Sequence, residues 1–350
     1  MMQNNNKIKL LVPLISVILG LLIGGLIMLI SEYDPIEAYA ALFEGIVGGP
    51  YYIGETVRQM SPLILSGLAV AFAFRTGLFN IGVEGQLLVG WLAAVYVGVF
   101  VDAPTFIHIP LAVLAAAAAG ALWGSVPGIL KARFKVHEVI TTIMMNYIAL
   151  YSTNEIIRKF MLAPGERTEN VKESASLASP FLQSITNFST LHYGIIIALI
   201  AAVIMWFILW RTTLGYELRA VGFNQHASQY AGINVSKNIV LSMAISGAFA
   251  GIAGSMEGLG TYQYMTINAA FTGVGFDGIA VALLGANSAV GVVLGAALFG
   301  GLKIGALNMQ SIAGVPTELV GVVIALIIFF VACSYIVHWL INRVNKGGKI

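Results

Sequence analysis

Long apolar stretches alternate with short polar ones along this chain. Apolar runs occupy 10–30, 60–74, 83–101, 109–130, 139–157, 191–209 and 239–256. Two shorter, glycine-rich pieces follow at 274–284 and 289–299, and a last run covers 319–340. None alternates with the period of two that a membrane β-strand requires, and lipid admits only helices or closed barrels, because every spanning backbone group must find an internal partner. At roughly 20 residues per crossing, the pattern predicts an all-α, polytopic transmembrane helical bundle of about ten spans, forming a single transmembrane domain over 1–350. The first run follows Lys7 and Lys9, but it is long enough to span and no small-residue cleavage site with a soluble domain follows it, so it reads as a helix rather than a signal peptide.

Composition agrees with the pattern. Hydrophobic residues make up 58% of the 350 and charged ones only 10%, with a mean hydropathy of +0.89; a soluble domain carries about 25% charged residues. The 39 glycines suit close helix–helix approach in lipid. Cys333 stands alone and can form no internal disulfide. The net charge of +2 selects no class of ligand, and there is neither a nucleic-acid patch nor an acidic tail.

Charge then orients the bundle. With the amino terminus inside, Lys7, Lys9, Arg75, Lys131, Arg133, Lys135, Arg211, Arg219, Lys237, Arg343, Lys346 and Lys349 face the cytoplasm. Arg58, Arg158, Lys159, Arg167, Lys172 and Lys303 lie outside or near that edge. This bias predicts that both termini are cytoplasmic. The connection 31–55 is then external; it holds five acidic residues, Glu32, Asp34, Glu37, Glu44 and Glu55, and no basic one. Apolar spacing at Ile36, Tyr39, Ala40, Leu42 and Phe43 predicts a short helix within it. The second external segment, 158–190, ends in a loop rich in Ser, Thr, Asn and Pro. Neither can serve as a solute-binding domain.

Three polar features carry candidate chemistry. The segment 211–237, RTTLGYELRAVGFNQHASQYAGINVSK, lies between two apolar runs. Leu214, Leu218 and Val221 share one side of a helix, Gly222 can stop it, Asn224 can cap a second, and Gly232 can end that one. Two short helices joined in this way make either a rigid knob for a cytoplasmic partner or an amphipathic loop lying on headgroups. Next, 73–90 reads AFRTGLFNIGVEGQLLVG, where Asn80, Glu84 and Gln86 either offer hydrogen bonds to a polar solute or, for Glu84, mark the span's edge. Third, Glu138, Thr142, Asn146 and, less evenly, Glu155 form a polar stripe beside Tyr147 that either lines water or satisfies neighbouring helices. Adjacent His137 and Glu138 point apart and make a poor metal site.

Later in the chain, Gly247, Gly251 and Gly254 give a small-residue face. FTGVGFDGIAVALLG at 271–285 predicts a broken or re-entrant helix, with Asp277 either on a solute path or anchoring structure. The five tryptophans, Trp91, Trp123, Trp206, Trp210 and Trp339, read as interfacial or core residues. No GxxxxGK[ST] loop, HExxH or paired-cysteine motif is present. No enzyme site is therefore legible in the chain, and ATP-driven transport would need its ATPase on another chain.

Four segments, GLFNIGVEGQLLVG (77–90), KARFKVHEVITTIMMNYIA (131–149), GYELRAVGFNQHASQYAGI (215–233) and GFDGIAVALLG (275–285), resemble the inner-membrane permeases of bacterial ABC importers in the branched-chain amino acid, ribose and nucleoside group. The chain is most similar to the larger permease subunit of lipoprotein-dependent nucleoside importers of the purine or guanosine type, over 11–340. This resemblance implies a multi-pass protein of the bacterial cytoplasmic membrane that moves nucleosides by alternating access. Its implied partners are an ABC ATPase, a second and shorter permease in a heterodimer, an extracellular substrate-binding lipoprotein and membrane lipids, with no nucleic acid. ATP and Mg would be bound by the ATPase and no cofactor by this chain. It also implies that 217–233 docks in the ATPase, with Glu217, Arg219, Ala220, Gly222, Ala227 and Gly232 on the coupling pattern. The candidate path residues, read from the polar positions above, are Asn80, Glu84, Gln86, Asn146, Tyr147 and Asp277. The same machine carrying ribose or a branched-chain amino acid is the first alternative, and an ion-coupled carrier, which needs no docking knob, is the second.

Overall fold

A computed structural model describes residues 2–332. Cys333, Trp339, Arg343, Lys346, Lys349 and the end of the last apolar run lie outside the described residues. Among those described there are fourteen α-helices and no β-strand, only isolated bridges such as Arg167 with Thr266. Six helices are long and apolar enough to cross a membrane: α3 (Pro50–Arg75), α4 (Val83–Phe100), α5 (Thr105–Phe134), α8 (Gly194–Arg211), α11 (Val235–Met256, prolonged by a π-helical turn to Thr261) and α13 (Ala289–Ala313). Shorter apolar stretches occur in α1 (Met2–Ile30), α12 (Val274–Leu284) and α14 (Thr317–Ala332). The polar stripe lowers the hydropathy of α6 (Glu138–Ile156), yet its 19 residues give about 28 Å of helix.

Two compact units divide the chain at 56/57 and 297/298, inside α3 and α13. The unit made of 1–56 and 298–350 contains α1, α2 (Pro35–Val47) and α14. Asp34 starts α2 by accepting from the Ile36 amide at 2.8 Å, with Pro35 at its first position, so the short helix expected at 36–43 is present. Its buried face, Ala38, Ala41 and Leu42, packs with Met28, Leu302, Met309 and Val323. Asn308 donates to the Ala41 carbonyl at 2.7 Å and accepts from the Tyr52 hydroxyl at 2.9 Å.

The unit 57–297 is built on α4, α5 and α11. Small residues let their backbones touch, which is how helices associate when lipid removes the hydrophobic drive between them. A Cβ added at Gly120 would lie 2.2 Å from the Gly247 carbonyl, and one at Gly251 would lie 2.1 Å from that of Ala116. At Gly254 the distance to the Leu87 carbonyl would be 2.1 Å. The small face of α11 thus meets α5 along two glycines and α4 at the third.

Beyond Thr261 the chain does not return as a full helix. The stretch 262–273 is irregular and leads into α12, whose 11 residues span about 16 Å, half the roughly 30 Å hydrocarbon core. It begins near Trp91 of α4, which donates to the Tyr264 carbonyl at 3.0 Å. It ends beside the last residue of α3, Arg75, which donates to the carbonyls of Asn287 (2.9 Å) and Ala286 (3.3 Å). Irregular backbone followed by a short helix is the broken form that the glycines of 271–285 allow.

The loop after α6 is stapled down. After the π-helical turn Ile157–Met161, amides of Thr168, Val171 and Leu177 donate to the carbonyls of Met265, Gln263 and Leu259 at 2.8–2.9 Å. Within it α7 (Pro180–Ile185) is capped by Ser179. Lys172 binds the Val101 carbonyl at 3.2 Å and Asp102 at 2.5 Å.

Candidate functional site: a two-helix knob and a clamped short helix

Residues 211–237 fold as two short helices. Thr212 caps α9 (Thr213–Phe223) by accepting from the Gly215 amide at 3.0 Å. Asn224 caps α10 (Gln225–Tyr230) through the Ala227 amide, also at 3.0 Å, and Gly232, at φ +83°, ends it. Leu218 and Val221 are buried and Leu214 half-buried, the side the apolar spacing assigns to the interior. Gly222 does not stop the helix, which runs on to Phe223. It is small because the backbone of 75–77 lies against it: an added Cβ would sit 2.4 Å from the Arg75 carbonyl.

The charged pair of the knob faces the protein. Glu217 accepts from Asn238 of α11 at 2.9 Å, and the Arg219 guanidinium lies 4.2 Å from the Trp210 ring centroid. Arg75 approaches the same ring at 5.9 Å. Ala220 is half-buried, whereas Ala227 and Gly232 are exposed. Most exposed are two aromatics that sequence reasoning passed over, Phe223 at 90% and Tyr230 at 95%. Their signal was two large aromatic residues in an otherwise polar segment.

The other candidates gather around the start of α4. Asn80 and Gln86 form a reciprocal amide pair at 2.9 and 3.2 Å, and Asn80 also donates to Ser246 at 2.8 Å. Asn146 accepts from the Gly85 amide (2.8 Å) and donates to the Ile81 carbonyl (3.0 Å). All three amide side chains are buried. The stripe on α6 turns inward at Glu138, Thr142 and Asn146, while Glu155 leaves it and pairs with Lys159 at 2.9 Å.

Glu84 is wholly buried. One carboxylate oxygen accepts from the Thr272 hydroxyl (2.7 Å) and the Gly273 amide (3.0 Å), the other from the Gly275 amide (2.7 Å). It thereby satisfies the free amides at the start of α12, where a negative group also meets the positive end of the helix. Asn154 serves the irregular part, accepting from the Asn268 amide at 3.0 Å and donating to its carbonyl at 2.8 Å. Non-helical backbone at membrane depth needs such partners, and side chains from α4 and α6 supply them. Tyr147 is 46% exposed, its ring 5.0 Å from that of Phe271; Asp277 is half-exposed in the first turn of α12. Arg75, Asn154 and Ser246 were not among the residues singled out for the path. Ser242 and Ser246, one turn apart on an apolar helix, were the readable sign of a polar contact there.

The family model described as branched-chain amino acid transport system / permease component matches residues 52–343. The chain belongs to this family. It is 66% identical to the guanosine ABC transporter permease protein NupP of Bacillus subtilis, over 97% of both chains. It is 43% identical to the nucleoside ABC transporter permease protein NupB of Lactococcus lactis, covering 97% of this chain and 95% of that one. Identity to the guanosine permease NupQ of B. subtilis is 32%, over 71% and 79%. No solved structure matches. The chain is accordingly a transport subunit and a multi-pass protein of the bacterial cytoplasmic membrane.

Proposed function

We infer that this chain is one permease of an ATP-driven importer that moves nucleosides into the cell. The cargo follows from full-length relatives named for guanosine and nucleosides. Coupling to an ATPase on a separate chain, which holds ATP and Mg, is supported above all by the knob: a two-helix element pinned at Glu217 and Arg219 that leaves Phe223 and Tyr230 bare. The relation to both NupP and NupQ favours a heterodimer with a second permease, and a substrate-binding lipoprotein would deliver cargo outside. In this reading the amino terminus is cytoplasmic, 158–190 faces outward and 211–237 inward. The 262–285 stretch counts as one broken crossing among about ten, which returns the carboxyl terminus to the cytoplasm.

The contacts also give coupling a route. Closure of the ATPases pushes α9, whose Gly222 rests on the backbone of 75–77. Arg219 and Arg75 flank Trp210, and Arg75 holds the carbonyl end of α12. Glu84 holds the other end. A movement of the knob is thereby delivered to a short helix clamped at both ends, beside Tyr147 and Asp277. The buried amides Asn80, Gln86 and Asn146 fix the wall behind it.

Reconstitution with both permeases, the ATPase and the lipoprotein tests the assignment. The expected result is ATP-dependent uptake of nucleosides in preference to ribose and branched-chain amino acids. Uptake driven by an ion gradient without ATP would refute the drive, and ribose uptake without nucleoside uptake would refute the cargo.

A further inference from the structure

A cavity of about 800 Å³ opens where the end of α6 meets the irregular stretch, within the range of roughly 300–1,000 Å³ typical of small-molecule sites. Its walls are held by specific bonds: the reciprocal Asn154–Asn268 pair joins α6 to the stretch, and the Ile267 amide donates to the Glu166 carbonyl at 2.9 Å. Asn154 and Asn268 spend their amide groups on this framework, Asn268 bonding Thr266 as well.

The groups left to face a ligand are chemically distinct. Tyr151 presents a ring that is 67% exposed. Around it stand the Glu166 carboxylate as acceptor and the Arg158 guanidinium as donor, with Glu155 already paired to Lys159 at 2.9 Å. The π-helical turn Ile157–Met161 begins just after Glu155, and single π turns recur at functional sites because they displace a helix's side chains from their regular path. Tyr151 also continues a track. It lies one helical turn beyond Tyr147, on the same face, and the Tyr147 ring leads to Phe271 (5.0 Å) and on to Phe276 (5.7 Å).

We propose that this cavity is a cargo-binding site at the external mouth of the permease, where the base of a nucleoside stacks on Tyr151 and its edge meets Arg158 and Glu166. The proposal rests on the nucleoside-importer reading and adds the place of first contact. An uncharged solute with a flat ring and both donors and acceptors matches this lining. Ribose brings hydroxyls but no aromatic face to stack, and a branched-chain amino acid brings charges for Arg158 and Glu166 but nothing flat for Tyr151, so the ring decides between them.

The test uses the complete transporter in proteoliposomes, with labelled guanosine and cytidine supplied at saturating lipoprotein. Wild type is measured first, so that a failure to carry any nucleoside is charged to the functional reading and not to this site. With base–aromatic stacking at about 1–3 kcal/mol, Tyr151→Ala should lower guanosine uptake by about five- to tenfold or more and lower cytidine uptake less. Tyr151→Phe should keep both, and lipoprotein-stimulated ATP hydrolysis should persist in both variants. Unchanged uptake and an unchanged guanosine-to-cytidine ratio in Tyr151→Ala would overturn the proposal. So would a loss of lipoprotein stimulation parallel to the loss of uptake, which would make the surface a docking site for the receptor protein.

Discussion

Glu84 is a buried carboxylate with three donors aimed at it, two of them backbone amides. A carboxylate accepts on both oxygens, whereas an amide offers one acceptor and turns two donors toward the other site. Glu84→Gln should therefore break at least the bond to one side of the α12 amino terminus, a charged hydrogen bond of about 1.5–3 kcal/mol. The expected outcome is a purified protein with a lower thermal midpoint in detergent. A midpoint equal to wild type would refute the clamp. Glycine positions divide by their neighbours in the same way. Gly251→Ala places a methyl 2.1 Å from the Ala116 carbonyl, backbone that cannot swing aside, whereas Gly321 has no neighbour within 4 Å of an added Cβ. Gly251→Ala should abolish monodisperse protein in size-exclusion chromatography. Gly321→Ala should leave it intact and, by removing a flexible residue from α14, raise stability by up to about 1 kcal/mol. Sequence could mark Glu84 as an ionisable group in an apolar setting, but its role was hidden because its partners lie 188–191 positions away.

At the scale of elements, the apolar runs identified most of the crossings, because burial in lipid is written directly in hydropathy. The caps at Asn224 and Gly232 were equally plain, since each acts within a few residues. Helix ends were less so: α3 begins at Pro50 and α13 runs to Ala313, beyond the apolar runs starting at 60 and ending at 299, because intrahelical bonding continues past the hydropathy edge. The purpose of Gly222 was misread for a related reason, since a glycine that ends a helix and one that admits another backbone look alike in sequence. Its contact with 75–77 predicts that Gly222→Val forces α9 off that backbone. Basal ATP hydrolysis by the assembled complex should persist while transport per ATP falls severely, and unchanged coupling would refute the role of the contact. The loop after α6 makes a pH-dependent prediction. The hydrogen bond from Lys172, with its charge, holds the Asp102 carboxyl below the usual carboxylate range. A depressed folded pKa contributes stability above the unfolded value, near 3.9, and loses it as pH falls through the folded value. The protection of amides in 168–177, corrected for the intrinsic pH dependence of hydrogen exchange, should therefore be insensitive to this pair between pH 8 and 5 and should fall below about pH 4, which is the acid-dependent rise in opening. Asp102→Asn should remove that acid-dependent rise.

For the whole molecule, the number of crossings decides which side every later residue occupies, and the uncertain crossing is 262–285. Counted by helix length alone, α12 is too short and would be omitted. Counted by its contacts, from Trp91 midway along α4 to Arg75 at the end of α3, the stretch would be one crossing of irregular backbone plus half a helix. Such a crossing leaves unpaired amides and carbonyls that lipid cannot satisfy; the bonds from Glu84, Asn154 and Thr168 are what make it tolerable. The two counts differ in where they put Ala286. Both Asn170 and Ala286 are exposed, and replacing Cys333, the one cysteine in the sequence, by serine gives a background for single introduced cysteines. In intact cells a membrane-impermeant maleimide should label Asn170→Cys at once and Ala286→Cys only after permeabilisation. Labelling of both from outside would mean that the stretch dips and returns, which would also place the carboxyl terminus outside and remove the basic tail from the cytoplasmic face.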